Sequence, residues 1–409
     1  MNLFPFLIRE LKNLAHLMIA IFAVCYYGNP SKKIVVIGVT GTDGKTTTSN
    51  FIYQLLQLSG KKAALISTTG AYIGEKKQSL GFHVTTPSPF KLQKYLKKAV
   101  ESNKEYIVLE VSSHALDQHR VFGISFEVGI LTNISSEHLD YHKTLDNYIG
   151  EKVKLLNNAK YAVLNKDDSN FDIVLKKVKN RKIYKYSLKD KDSNLNLDSL
   201  NKDFLANFTD FNKSNALASV LALEILGVKR EQVFSKIKNL TLPLGRLEAV
   251  QEKPFRVIVD FAHTPNAFES LLSEIRKTTK GKLIHVFGSA GKRDRSKRPM
   301  MGEASSKYSD IIILTAEDPR NEKVFDINKE ILEGVDKKFE RVESSKHKLT
   351  KNYVIKFEDR ENAINYALNI AEPNDTVLIT GKGHEESMNM GRGEISWNDI
   401  EITKKLLKR

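Results

Sequence analysis

The run Gly41-Thr42-Asp43-Gly44-Lys45-Thr46-Thr47 lies between a short apolar segment, Ile34 to Val39, and a helical stretch, Thr47 to Leu58. Glycines let a backbone fold tightly and turn its N–H groups toward phosphate oxygens, and a following helix N-terminus adds positive potential. Lys45 can then reach the β- and γ-phosphates of a nucleotide, and the Thr46 hydroxyl can ligate Mg²⁺. The spacing departs from the standard phosphate-loop pattern, because position 39 is valine where glycine is usual. A chance glycine turn is the competing reading. Strand, loop, Lys-Thr pair and helix in one register favour the phosphate site.

Further groups close other apolar runs. Glu110-Val111-Ser112-Ser113-His114 follows Tyr106 to Val111, and a carboxylate there suits Mg²⁺; the two serines could equally be helix caps. His138, Asp140 and His142 fall within five residues and could form a metal cluster, with Tyr148 and Lys152 next along the chain. Four more groups come later: Asp260-Phe261-Ala262-His263, the cationic turn Gly288 to Pro299, Glu317-Asp318-Pro319-Arg320, and Gly381-Lys382-Gly383-His384-Glu385. Each alone could be surface chemistry. Four at strand ends of one domain point to a single lined cleft.

The elements that must position these groups read as strand–helix alternation. Apolar, β-branched runs at Ile34–Val39, Ala63–Ser67, Tyr106–Val111, Val128–Thr132 and Tyr161–Leu164 predict buried parallel strands with helices between them. Residues 187–210 are polar and rich in Asn and Asp, which predicts a loop or weak edge structure before a helix at Ser214–Leu226. Pro243 and Gly245 mark a boundary, after which Arg256–Asp260, Leu283–Gly288, Ile311–Thr315 and Thr376–Thr380 predict a second set of strands. The fold class is therefore α/β: a central domain of phosphate-loop ATPase type with a mainly parallel sheet, then a Rossmann-like α/β domain. The expected division is 1–30, an N-terminal helix; 31–241, the nucleotide-binding domain; and 242–409, the C-terminal domain.

With 64 Lys+Arg against 49 Asp+Glu in 409 residues, the formal charge is +15, which favours anionic partners. The lysines are scattered and form no dense stripe, so nucleic acid is not expected. The single cysteine, Cys25, excludes an internal disulfide and fits a cytoplasmic protein. Leu14 to Tyr27 is nearly all apolar but shorter than the ~20 residues a spanning helix needs. A helix docked on the protein is expected, with peripheral membrane contact through 11–27 as the alternative.

Taken together, VTGTDGKTTT, TTPS at 85–88, EVSSHALDQHR, TNISSEHLDYH, GRLEAV, VDFAHTP, GKRDRSKRPMMG, EDPRNE and GKGHE resemble the Mur ligase family. The branch they resemble adds a diamino acid, meso-diaminopimelate or L-lysine, to the D-glutamate of UDP-MurNAc-L-Ala-D-Glu in peptidoglycan synthesis. Folylpolyglutamate synthases share a similar phosphate loop, but HLDYH and GKGHE separate this chain from them. The resemblance implies amide formation through an acyl phosphate, with ATP, two Mg²⁺ ions and a CO₂-derived carbamate on Lys152 as cofactors. It implies catalytic roles for Lys45, Glu110, His138 and Lys152, with metal held by Thr46, Glu110, His138 and carbamylated Lys152. ATP would be held by Gly41 through Thr47 (Gly41, Thr42, Asp43, Gly44, Lys45, Thr46, Thr47) and by Asn212, Asn215, Arg246, Asp260 and His263. Thr85, Thr86, Ser112, Gln118 and Arg120 would contact the muramoyl-dipeptide acceptor. Arg293, Asp318, Pro319, Arg320, Gly381 and Glu385 would form the diamino-acid pocket, and a monomer is expected.

Three departures stand out. The family's usual first domain, which holds the uridine diphosphate, has no counterpart beyond residues 1–30, which resemble its last helix. That leaves a non-nucleotide or lipid-linked carboxylate acceptor as the alternative. Asp210 stands where the family usually has glycine. The amino-acid motif reads Glu-Asp-Pro-Arg where Asp-Asn-Pro-Arg is usual, and its arginine leans toward diaminopimelate.

Overall fold

The computed structural model describes residues 3–74, 77–81, 84–180, 182–200, 205, 208–342 and 352–408, with side chains from residue 11 onward. The chain divides into two compact units, Met1–Pro243 and Leu244–Arg409.

Unit 1 is built on an eight-stranded sheet in the order β3-β2-β4-β1-β5-β6-β7-β8. In chain order the strands are β1 (Val35–Thr40), β2 (Ala63–Ser67), β3 (Gly70–Tyr72), β4 (Tyr106–Glu110), β5 (Phe126–Leu131), β6 (Ala159–Asn165), β7 (Ile183–Ser187) and β8 (Leu195–Asn196). All neighbours pair in parallel except β2 with β3. The helices are α1 (Leu3–Tyr27), α2 (Lys45–Leu58), α3 (Pro89–Glu101), α4 (Ser113–Asp117), α5 (Leu139–His142), α6 (Leu145–Asn157), α7 (Phe171–Lys177), α8 (Asp210–Ile225) and α9 (Arg230–Ile237).

The strand residues alternate between two cores. Ile37 and Val39 of β1 pack with Phe51, Leu55 and the α8 leucines on one face. Val36 packs with Leu92, Leu96 and Leu155 on the other. A strand buried on both faces reads as an unbroken apolar run, which is why these strands were legible. The helix starts lie two to four residues earlier: α2 opens at Lys45 rather than Thr47, and α8 opens at Asp210 behind Thr209 rather than at Ser214. The polar stretch 187–210 holds the edge strand β8 and a 3₁₀ turn, Leu197–Ser199.

Unit 2 carries a seven-stranded sheet in the order β13-β14-β12-β11-β15-β10-β9 and a small hairpin, β16-β17. Its strands are β9 (Glu248–Gln251), β10 (Arg256–Asp260), β11 (Leu283–Phe287), β12 (Ile311–Leu314), β13 (Glu340–Val342), β14 (Tyr353–Lys356), β15 (Thr376–Thr380), β16 (Ser387–Asn389) and β17 (Glu394–Ser396). Only β9 runs against the main sheet. Its helices are α10 (Pro265–Thr278), α11 (Lys297–Tyr308), α12 (Val324–Leu332), α13 (Arg360–Ile370) and α14 (Asp399–Leu407).

Both sheets place their chemistry by the same rule. In unit 1 the phosphate loop, Glu110 and Thr132 follow β1, β4 and β5, which are direct neighbours. In unit 2 the four motifs follow β10, β15, β11 and β12, which are consecutive in the sheet. Groups far apart in sequence thus meet at the carboxyl edge of parallel strands, where ligands of such folds gather.

Candidate functional site

The phosphate loop is held by a latch from the neighbouring strand. Thr42 N donates to Asn133 O at 2.9 Å, Asp43 N to Asn133 Oδ1 at 2.8 Å, and Thr132 Oγ1 to Asp43 O at 2.6 Å. Gly41 (φ 153°) and Gly44 (φ 79°) take conformations that side chains rarely adopt. A Cβ at Gly41 would overlap the Thr132 hydroxyl, and one at Gly44 the Asn215 amide oxygen. Helix α2 begins at Lys45, so its first-turn N–H groups have no intrahelical acceptor. The cradle is therefore shaped for an anion. Lys45 Nζ rests on Thr42 O at 2.7 Å, at the loop's own edge. Asn215 accepts from Thr48 Oγ1 at 3.2 Å and donates to Asn212 Oδ1 at 3.4 Å, which sets both asparagines beside the loop.

Glu110, 1% exposed, is the hub of a second cluster. Its Oε1 accepts from Thr46 Oγ1 at 3.0 Å and from Thr68 Oγ1 at 3.0 Å, while Oε2 accepts from Thr68 N at 2.9 Å. A hydroxyl and a carboxylate at a helix N-terminus are hard oxygen donors, the set Mg²⁺ prefers, so this pair fits that ion. Thr68 also reaches Thr85 Oγ1 at 3.2 Å. Thr86 donates to Glu110 O at 2.9 Å and accepts from Ser112 N at 3.0 Å. Arg120 donates to Gln118 Oε1 at 2.7 Å and to Thr86 O at 2.8 Å. The five expected acceptor residues thus form one connected network ending on Glu110.

Lys152 comes from α6 and is 1% exposed. Its amine donates to Gly41 O at 2.5 Å and lies 4.4 Å from the Tyr148 ring centre. Burial first, then the Lys45 ammonium, holds its pKa well below the usual lysine range, against a smaller opposing pull from Glu137 and Asp43. His138, in the left-handed region at φ 56°, lies 3.7 Å from Glu137 and 4.8 Å from the His114 ring. Burial pushes it down to about 3, and it stays a neutral ligand-type imidazole.

The expected three-residue metal cluster does not form. His142 turns inward to Ser113 Oγ at 3.0 Å, and Asp140 faces solvent. Among the described residues no three His, Cys, Asp or Glu side chains come together for a metal. The His138 and His142 rings both pack on His114 and Tyr148, but the His142 ring is taken up by Ser113 and Asp140 points to solvent. Of the two serine readings, Ser112 is indeed a cap, accepting from Ala115 N at 3.2 Å.

In unit 2, Asp260 caps backbone at the end of β10, accepting from Leu247 N at 2.8 Å and Ala262 N at 2.7 Å. Arg246 stacks over Phe261 at 4.5 Å, and His263 Nδ1 pairs with Phe261 O at 2.9 Å. Asp318 (φ 43°) and Arg320 (φ 52°) are both left-handed. Non-glycine residues pay about 1–3 kcal/mol for such backbones, which cluster at functional sites. Asp318 Oδ1 accepts from Lys382 Nζ at 2.8 Å and Asn389 N at 2.9 Å, and Lys382 meets Glu385 at 2.6 Å. Arg320 donates to Gly291 O at 2.6 Å, and Gly291 N to Asp318 O at 3.0 Å, so the turn Pro319 is pinned to the preceding loop. Gly381 backs onto the buried Glu317.

The cationic turn is less free than its composition implied. Arg298 is fully buried and paired with Glu322 at 2.9 Å and Glu330 at 2.8 Å, Arg295 also meets Glu330, and Lys297 donates to His263 O at 2.8 Å. Arg293 remains exposed. Four residues of these networks had no role assigned from sequence: Thr68, Glu137, Lys382 and Glu317. Lys382 had a signal, a lysine inside a glycine-rich motif three residues before a glutamate. Thr68 had none beyond its place after β2.

The geometry agrees with what the chain resembles. Residues 39–229 match the Mur ligase middle domain, and residues 245–383 the Mur ligase glutamate ligase domain. The UDP-N-acetylmuramoyl-L-alanyl-D-glutamate–2,6-diaminopimelate ligase of Clostridium botulinum is 38% identical over 95% of this chain and 81% of its own length. The enzyme of the same name from Aquifex aeolicus is 38% identical over 93% of this chain and 79% of its own. A solved structure of such a ligase superposes with a TM-score of 0.59 at 28% identity, covering 92% of this chain and 78% of that one.

Proposed function

The chain belongs to the Mur ligase family, an ATP-dependent, amide-forming group of enzymes, and on that premise we propose that it joins meso-diaminopimelate to the D-glutamate of UDP-MurNAc-L-Ala-D-Glu. One observation supports this substrate pair above the rest: relatives named for it match at 38% over nearly the whole chain.

A carboxylate is a poor acylating agent, so the reaction runs in two steps. The γ-carboxylate oxygen of D-glutamate attacks the γ-phosphorus of ATP, forming an acyl phosphate and releasing ADP. The amine then attacks the acyl carbon, expels inorganic phosphate and loses a proton to water. Catalysis is mainly positioning and charge neutralisation. The loop Gly41–Thr47 cradles the phosphates, and Lys45 swings from Thr42 O to the β/γ oxygens. Thr46 and Glu110 would hold one Mg²⁺ and His138 a second, and the metal would supply charge neutralisation. The Thr85–Thr86–Ser112–Gln118–Arg120 network would orient the acceptor; it meets Glu110 at the backbone carbonyl through Thr86 and at the carboxylate through Thr68.

Lys152 fits the carbamate role. Burial lowers its pKa and so favours the free amine, whose lone pair can attack CO₂, forming an N–C bond and releasing one proton. An anion then replaces a would-be ammonium beside the phosphate loop. In unit 2, Arg320 would pair with a carboxylate of the amino acid, and Asp318 and Glu385 would receive its amine. The test is one panel: the protein, ATP, Mg²⁺ and UDP-MurNAc-L-Ala-D-Glu with either diaminopimelate or L-lysine, read by mass spectrometry. Diaminopimelate adduct is the expected product. Lysine adduct alone would reverse the amino-acid assignment, and no adduct with either would remove the substrate assignment.

A further inference from the structure

Helix α1 packs on unit 1 along one side only. Ala20 and Ala23 are 1% and 0% exposed, Val24 meets the turn at Gly123, Asn13 Nδ2 donates to Asp117 Oδ1 at 3.5 Å, and Tyr27 touches the Phe90 ring of α3 at 6.4 Å. The other side is turned to solvent and is apolar along its described length. Leu11, Leu14, Met18, Ile21 and Phe22 are 62%, 54%, 59%, 42% and 61% exposed, with Cys25 and Tyr26 (68%) closing the stripe. Spacings of three and four residues put these on one face. Scattered exposed leucines are ordinary; a continuous apolar helix face marks an interaction surface.

The surroundings indicate what covers it. Lys94, Lys97 and Lys98 are exposed on α3, the helix α1 packs against, with Glu101 the nearby acid of that helix. Lys32 and Lys33 are exposed in the 3₁₀ turn that follows α1, and Lys12 lies on α1 itself. Aromatic rings gather at its carboxyl end: Phe22, Tyr26, Tyr27 and Phe90 form one chain of contacts of 4.9–6.4 Å. Aliphatic face, aromatic end and lysine border are the elements of a helix that lies in a lipid interface. No described helix is long and apolar enough to cross a membrane.

We propose that this face of α1 seats on an anionic phospholipid bilayer, parallel to its surface, and docks the ligase there. A second copy is the competing occupant, because positions 11, 14, 18, 21 and 25 also carry coiled-coil spacing. A two-fold pairing would, however, bring the same lysines of two +15 chains together, whereas an anionic surface is complementary to them.

Flotation of the full-length protein with vesicles tests this, using phosphatidylcholine alone or mixed with phosphatidylglycerol, beside sedimentation of the protein without lipid. The wild type is expected to float with the mixed vesicles as a monomer. Met18→Glu/Phe22→Glu should lose binding about 10-fold or more while keeping its ligase turnover in solution. Lys94→Gln/Lys97→Gln/Lys98→Gln should lose about 10-fold or more on the mixed vesicles only. No flotation of the wild type, flotation indifferent to the glutamate pair, or a lipid-free dimer that this pair dissolves would each overturn the proposal. Unchanged turnover of the variants separates that result from misfolding.

Discussion

Two buried lysines, one in each unit, are treated in opposite ways. In unit 1 burial wins. The Lys152 amine is driven well below its ordinary range and His138 falls to about 3, with Lys45 adding repulsion to both. In unit 2 the Lys382 side chain is just as buried, at 0% exposed, yet its pKa is raised: burial lowers it, and Glu385 and Asp318, at 2.6 and 2.8 Å, outweigh that. Arg360 repeats the pattern with Asp399 at 2.7 Å. Desolvation costs several kcal/mol per ion and is repaid only by close, well-directed counter-charges. Unit 2 has made its ionic contacts among its own residues, and so presents a fixed frame suited to recognition. Unit 1 leaves groups near neutrality beside the phosphate loop, suited to taking on charge from phosphate, metal or CO₂.

The sharpest way to break that contrast is Lys152→Met. If the buried amine becomes an anionic ligand, the variant should lose about 10²–10³-fold in kcat, the usual effect of removing a preorganised electrostatic group. The fold should not suffer. A lysine whose folded pKa is depressed costs the folded state stability below its unfolded value of 10.5, increasingly as pH falls, so the variant should unfold no earlier than wild type. Full activity in thermally intact Lys152→Met would mean that unit 1 holds only an inert core lysine. Next in size is Arg320→Ala. Losing a charge-assisted bond to a carboxylate costs about 1.5–3 kcal/mol, so KM for diaminopimelate should rise about 10- to 100-fold with KM for ATP unchanged. An equal rise for ATP would show that unit 2 is not a separate recognition frame. Smaller is Asn133→Ala, which removes the latch on Asp43 N and O. Thr132 Oγ1 still holds Asp43 O at 2.6 Å, but losing the bond to Asp43 N costs about 1–3 kcal/mol, read as weaker ATP binding in titration calorimetry at unchanged KM for diaminopimelate.

Strand ends were where the sequence was most informative. Apolar runs such as Ala63–Ser67, Arg256–Asp260 and Thr376–Thr380 are the observed strands to the residue, because strands buried on both faces carry no competing pattern. Each motif closes a run, so sheet order alone gathers them. Side-chain direction was not legible. His138, Asp140 and His142 look like one cluster in one dimension, yet Asp140 faces solvent and His142 is taken up by Ser113. Arg298 and Lys297 look like surface cations, yet α11 begins on them and turns both inward. The apolar run Leu14–Tyr27 reads as uniform in sequence, and only the packing of α1 separates a side that is buried or half-buried from one that is exposed. Burial is decided by what arrives from elsewhere in the chain, which a local reading does not contain.

Glu317 departs from the Lys382 pattern within unit 2, as the buried His285 and Asp260 also do, and it gives the mildest test of the contrast. It is 6% exposed, its Oε2 has no hydrogen-bond partner, and burial raises it to about 7 against a lesser pull from Lys297, His263 and Arg360. Here the sign is that of a raised acid. Folded Glu317 keeps its proton longer than the unfolded chain does, so folding carries no cost below about 4.5 and its full cost above about 7. That gap corresponds to at most about 3 kcal/mol. Glu317→Gln mimics the protonated form, so at pH 8 it should raise Tm by several degrees, at roughly 2–4 °C per kcal/mol for a unit of this size. The gain should shrink steadily toward pH 5. A gain independent of pH would show that the amide merely packs better. A loss at pH 8 would show that the charge of Glu317 is compensated after all, by Lys297 and His263.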